Sequence, residues 1–128
     1  MTAGPLVMPR AVLDEDHIHP AIRARIAGHH ADVVQEVQRA VAAHPVVVVG
    51  MGQNPFPRRA RRTLDAAGIA HHDLDYGNYF SGWRRRNALK LWTGWPTLPM
   101  VFVRGMLIGG ADDLARLMAS GELKRLLA

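Results

Sequence analysis

Four consecutive valines, Val46 to Val49, interrupt a chain whose apolar residues otherwise recur mostly at helical spacing. An unbroken β-branched run is what a strand buried on both faces requires, so it predicts a central strand. Upstream, Ile22, Ile26, Val33, Val34, Val37, Ala40 and Val41 repeat every few positions on either side of Gly28, after a Pro20 suited to a first helical turn. This predicts a helix broken or kinked near Gly28 and ended by His44-Pro45. Downstream, Ala60, Leu64 and Ala67 form an apolar stripe opposite Arg58, Arg59, Arg61, Arg62 and Asp65, with Gly68 as a stop signal. "IAHHDLDY" reads as a short strand, "SGWRRRNALKLW" as a helix starting near Ser81, and Gly94-Trp95-Pro96 as a loop. "MVFVR" and "MLIGG" meet at Arg104-Gly105, which has the length and glycine of a tight hairpin. The tail from Asp112 carries Leu114, Leu117 and Met118 on one stripe, then Leu123, Leu126 and Leu127 after Gly121.

From His30 the order is therefore helix, strand, helix, strand, helix, hairpin, helix. Strands linked by helices tend to be parallel, whereas a hairpin is antiparallel, so the pattern predicts a mixed sheet with helices on both faces. Ligands collect beyond strand C-termini in such sheets, which directs attention to Asn54 through Arg59. Residues 1 to 16, with Gly4-Pro5, Pro9 and an acidic cluster, lack periodicity and read as a surface arm; Met8 is an alternative start.

Composition narrows the chemistry. A length of 128 residues with 48% hydrophobic content suits one domain with a real core. No apolar run is long enough to span a bilayer, and the first twenty residues place acids and histidines where a signal peptide needs an apolar block, so a cytoplasmic protein without membrane contact is expected. Zero cysteines exclude disulfides, thiolate metal sites, thiolate-held iron–sulfur clusters and cysteine nucleophiles. The net charge of +5 favours anionic partners. The arginines at 58, 59, 61 and 62 and at 84, 85 and 86 suit phosphate or carboxylate recognition, since guanidinium offers a planar fork of donors. A solvated helix face takes precedence over nucleic-acid binding, because no nucleic-acid-reading motif accompanies the charge.

Other side chains are read against their ordinary roles. The pairs His17-x-His19, His29-His30 and His71-His72 lack a recognised ligand spacing, so no metal site is expected. Asn54 followed by Pro55 is first a turn opener and second an amide that orients a ligand. Trp92, at helical spacing from Ala88, is expected in the core, and Trp95 is the exposed-aromatic candidate.

From about Val46 to Leu127 the residues resemble a glutaredoxin of the thioredoxin-like superfamily. The family's strand, Cys-Pro-Tyr/Phe-Cys turn and helix fall without a gap on "VVVVGMGQNPFPRRARRTLDAAGI". Its Thr-Val-Pro falls on Thr97-Leu98-Pro99, and its Gly-Gly-x-Asp-Asp on Gly109-Gly110-Ala111-Asp112-Asp113. The resemblance implies a thioredoxin-like α/β fold of the glutaredoxin type: a mixed four-stranded sheet flanked by helices, covering residues 31–128, with residues 1–30 as an N-terminal arm and helical extension. Asn54 stands where the family has its nucleophilic cysteine and Pro57 where dithiol members have the resolving one, so no catalytic residue remains. Disulfide exchange needs a thiolate, which an amide cannot replace. Monothiol relatives hold a [2Fe–2S] cluster through the same cysteine, so no iron–sulfur cluster and no required cofactor are expected.

What the resemblance leaves is a binding groove. It implies main-chain pairing at Leu98 beside a cis Pro99, with Thr97 preceding them, to the cysteinyl part of glutathione. It implies that Gly110, Ala111, Asp112 and Asp113 hold the γ-glutamyl end and that Arg86 meets the glycyl carboxylate. Met51 stands where the family has a lysine, and Arg58 or Arg59 at the helix N-terminus is the expected substitute. Each feature also has an architectural reading: Thr97-Leu98-Pro99 as loop order, and Asp112 or Asp113 as a helix cap. Two functions follow. The first is a redox-inactive protein retaining a groove for glutathione, a related thiol or an extended peptide. The second is a protein-interaction module with a vestigial groove that uses its basic helix faces and N-terminal extension. Enzymatic activity is not expected, and oligomeric state is left open.

Overall fold

The computed structural model describes residues 9–128. Gly4-Pro5 and Met8 of the expected arm lie outside the described residues. After a 3-10 turn at Glu15–His17 come α1 (Pro20–Gly28), α2 (Ala31–Ala43), β1 (Val46–Gly50), α3 (Pro55–Ala66) and β2 (His72–Asp75). Then follow α4 (Trp83–Thr93), β3 (Met100–Val103), β4 (Met106–Gly109), α5 (Ala111–Ala119) and α6 (Glu122–Leu127).

The strands form one sheet in the order β2-β1-β3-β4. β1 runs parallel to β2, across the α3 connection, and antiparallel to β3, which pairs antiparallel with β4. The mixed, four-stranded, helix-flanked sheet expected from the sequence is present. β1 is buried along its whole length, and its alternation sorts the core into two halves. Val47 and Val49 face α2 and α4 together with Met100 and Phe102, whereas Val46 and Val48 face α3, α5 and α6 with Val101 and Val103. The hairpin turns on Arg104 and Gly105, both at positive φ (51° and 81°). That is the backbone whose twist matches the flanking strands, and it suits glycine at the second position.

The helix predicted across Gly28 is two helices, broken where His30 takes a left-handed φ of 47°. Their burial differs. α2 buries Val33, Val37 and Ala40; α1 buries nothing, leaving Ile22 43% and Ile26 55% exposed. Trp92 departs from its expected place in the core. It is 37% exposed, stacks on Phe102 at 6.1 Å and borders a cavity of about 570 Å³ between α1 and α4. One turn from Ala88 is the right face of α4, but the cavity it shares with Ile22 and Ile26 leaves it partly open. Trp95 departs in the other direction: it is half-buried against the α2–α4 half of the core.

Candidate functional site

The β1 strand ends at Gly50, where the chain must turn into α3 at close quarters. A Cβ on Gly50 would come within 2.8 Å of Pro57 and 2.9 Å of Asp75, so glycine is what allows the helix start to lie against the sheet. Asn54 then caps α3, its side-chain oxygen accepting the Phe56 N–H at 2.9 Å. Pro55 occupies the first helical turn, where a missing N–H costs nothing, and Pro57 is buried beneath it. The turn-opening reading of Asn54 is thus the one its carbonyl oxygen serves. The residue that the resemblance sets in the nucleophile's place is a helix cap.

Opposite this turn, the loop ahead of β3 brings Leu98 and Pro99 to the same edge through a cis peptide. Among the described residues, neither main-chain polar group of Leu98 has a hydrogen-bond partner. β4 then ends at Gly109, and α5 starts beside the loop. Asp113 accepts the Gly110 N–H at 2.9 Å and the Arg116 guanidinium at 3.0 Å. The Gly110 bond, foremost, holds the Asp113 carboxyl below its ordinary range, with burial opposing and Arg116 assisting. Asp113 is the cap; Asp112 is free of that duty and points to Arg59 across the gap, forming an ion pair.

Between these walls lies a groove of about 590 Å³. Asn54, Phe56 and Arg59 line it from the α3 side, Trp95 through Pro99 from the loop, and Gly110 through Asp113 from the α5 side. Met51, which stands where the resembling family has a lysine, also lines it. Phe56 is half exposed at the rim and Trp95 packs into the wall, so neither plugs it. The Trp95 indole N–H is buried without a partner.

Two arginines assigned to the groove from the sequence are not brought to it. Arg58 lies on the solvent face of α3, since only its neighbours Pro57, Ala60 and Leu64 face the sheet. Arg86 is 7% exposed and donates to the Tyr76 and Ser81 carbonyls at 2.9 and 2.7 Å. Those bonds consume its charge-bearing end in holding the 76–82 loop, whose Gly77 carbonyl in turn accepts the Gly52 N–H at 2.8 Å. In its place the groove receives Lys90, one helical turn further along the same ridge of α4, together with Tyr79 and Arg116. The i, i+4 relation between Arg86 and Lys90 was the available signal; which turn of the ridge meets the groove is set by how far α4 slides along the sheet. Lys90 forms no ion pair among the described residues.

The donor set at the turn does not fit an iron–sulfur cluster, because Asn54 presents an amide whose oxygen is already engaged. Among the described residues there is also no group of three or more His, Asp or Glu side chains arranged to hold a metal ion. No helix among them is long and apolar enough to cross a membrane.

A parallel β1–α3–β2 unit, an antiparallel closing hairpin and a groove between a helix start and a cis-proline loop define a thioredoxin-like fold of the glutaredoxin type. A glutaredoxin family model matches residues 46–108. A glutaredoxin-like protein of Dictyostelium discoideum is 43% identical over 98 residues, 77% of this chain and 80% of that one. The crystal structure of a mutated buckwheat glutaredoxin superposes with a TM-score of 0.69 at 27% identity, covering 77% of this chain and 90% of its own. The buckwheat glutaredoxin–glutathione complex superposes with a TM-score of 0.67 at 26% identity, over 77% and 90%. The chain belongs to the glutaredoxin family, as a member without cysteine.

Proposed function

We propose that this protein binds glutathione or a related thiol peptide in the groove and does not exchange disulfides there. The observation that supports it best is the survival of the groove around a turn that has no sulfur. Leu98 presents main-chain groups and Lys90 an ammonium that are unpaired among the described residues, and Asp112 presents a carboxylate, all on one cavity of about 590 Å³. That volume and those groups suit a short extended peptide with a charged group at each end. The related buckwheat protein is known in complex with glutathione, which adds the ligand class.

In this reading Leu98 pairs with the cysteinyl main chain, Asp112 receives the ligand ammonium, and Lys90 takes the carboxylate that the sequence had assigned to Arg86. Thr97, Gly110 and Ala111 shape the walls. With Asn54 in place of a thiolate, the ligand sulfur meets only an amide and no mixed disulfide can form.

Isothermal titration with reduced glutathione tests the binding. Saturable heat is expected, and Asp112→Ala should abolish it; no heat at millimolar glutathione would refute the reading. The redox half is tested separately with a glutathione mixed-disulfide substrate. Its reduction should proceed at the buffer rate, and a rate well above buffer would sink the claim of inactivity.

A further inference from the structure

Most of the large apolar side chains that the core leaves in water gather on α4, the loop ahead of it and α1. Phe80 is 88% exposed at the tip of that loop, Trp83 at the start of α4 is exposed too, and Leu91 near the other end is 72% exposed. Trp92 beside it meets Ile22 and Ile26 of α1 across the cavity of about 570 Å³. The tip does not fold back to hide Phe80. Asn78 and Ser81 bond each other's main chain at 3.0 and 3.3 Å, the Asn78 side chain accepts the Phe80 N–H at 2.8 Å, and buried Arg86 donates to the Ser81 carbonyl. The charge along this side has one sign. No acid occurs from Tyr76 to Ala111 or within α1, and Glu36 of α2, near the base of the loop, is engaged by the Tyr76 hydroxyl. Arg25 and Arg84 are exposed and form no ion pair among the described residues. Arg84 lies over the Trp83 ring at 5.3 Å and shares a ridge with Leu91, seven residues on; Arg25 borders the cavity.

We propose that this side of the protein docks reversibly on an anionic membrane surface, an inference independent of the groove reading. Phe80 and Trp83 enter the headgroup region, where aromatic rings are favoured, and Leu91, Ile22 and Ile26 lie against the acyl boundary. Arg25 and Arg84 meet the lipid phosphates and carboxylates. The shape argues for lipid over a folded partner: the tip projects and the cavity recedes, so a rigid surface would need both a pit and a ridge, whereas a bilayer surface conforms to either. The charge argues the same way. The first turn of α4 carries arginines and no acid, which its dipole disfavours in the free protein and an anionic surface compensates. This departs from the absence of membrane contact expected from the short apolar runs, because the face is assembled from three elements that each supply only a few apolar side chains.

Co-sedimentation of the full chain with vesicles tests this, using phosphatidylcholine alone and phosphatidylcholine with phosphatidylserine in equal parts. The partition coefficient should be roughly tenfold higher on the anionic vesicles and should fall steeply with added salt. F80S and L91Q, at the two ends of the face, should each weaken binding by roughly threefold to tenfold, and R25Q combined with R84Q by roughly tenfold. All four positions are exposed, so thermal unfolding should stay where it is in the unsubstituted chain. M106Q, at an exposed position of β4 beside α5 and α6, should leave binding unchanged. No co-sedimentation with the anionic vesicles overturns the proposal and leaves an acidic protein as the occupant of this face. Binding that follows the arginines but ignores F80S and L91Q reports charge alone and overturns it as well. So does an M106Q loss as large as that of F80S, which would mean that any exposed apolar residue serves.

Discussion

The two helix starts that border the groove carry opposite chemistry. The first turn of α3 has no acid; it is opened by a neutral asparagine and followed by Arg58 and Arg59, which add positive charge to an end already positive by its dipole. The first turn of α5 holds Asp112 and Asp113, which offset the same dipole. One side of the groove therefore carries positive charge and the other negative, and Arg59 and Asp112 pair across it. This polarity gives the cavity a direction that neither a symmetric cleft nor a purely apolar one would have.

Both helix starts are anchored by a leucine in the core, and that anchoring can be broken first. Leu64 of α3 and Leu114 of α5 are both fully buried. Leu64→Ala and Leu114→Ala should each lower the unfolding free energy by about 2–5 kcal/mol in urea denaturation. A loss under about 1 kcal/mol for either would show that its helix start is not fixed by packing.

A smaller effect is expected at Arg86, which holds the loop behind the α3 turn. Arg86→Ala should cost about 2–3 kcal/mol, because the buried Tyr76 carbonyl and the partly buried Ser81 carbonyl lose a charged donor. The same variant should still bind glutathione where it remains folded. Lost affinity with unchanged stability would restore Arg86 to a direct ligand role.

The caps sharpen the contrast further. Asn54→Ala and Asp113→Asn should each cost about 1 kcal/mol at neutral pH. Only the second should depend on acid. The Asp113 carboxyl is held below its unfolded value of 3.8, so its contribution is complete above that pH and fades as pH falls through the lower folded value. In denaturation at stepped pH, the gap between the unsubstituted chain and Asp113→Asn should close in acid while the Asn54→Ala gap stays. A pH-independent Asp113 gap would mean that the carboxylate charge is not what caps α5.

The far end of α3 supplies the smallest test, and its sign is reversed. The His71 ring nitrogens face Asp65 at 2.8 Å and Asp73 at 2.6 Å, an arrangement that only the doubly protonated ring satisfies. Burial is the largest single influence and opposes the charge, but the two carboxylates together outweigh it and raise the His71 pKa above 6.5. A raised folded value stabilises below pH 6.5 and is lost as pH climbs through it. His71→Gln should therefore be least stable relative to the unsubstituted chain in mildly acidic buffer, with the gap closing in alkali. A gap that widens with pH would show the ring to be neutral in the folded protein.

Local pattern determined much of this protein. Val46 to Val49 named the central strand because strands buried on both faces tolerate no polar residue, and the hairpin at Arg104-Gly105 followed from the few backbones that reverse a chain in two residues. The absence of cysteine set a limit that no folding could lift, since sulfur chemistry needs sulfur. Other matters were decided only when the elements packed. Arg86 and Lys90 share a ridge, yet the packing of α4 against its neighbours buried one and opened the other to the groove. Asp112 and Asp113 are adjacent in the chain and identical in type, yet one turned inward to cap its helix and the other met Arg59, a residue 53 positions away. Periodicity reports which face of an element is apolar, because that is a property of neighbours in sequence; it carries no information on the depth of that face or on which distant charge will stand opposite it. For that reason the Ile22 and Ile26 stripe of α1 reads like that of α2 and yet stays in water.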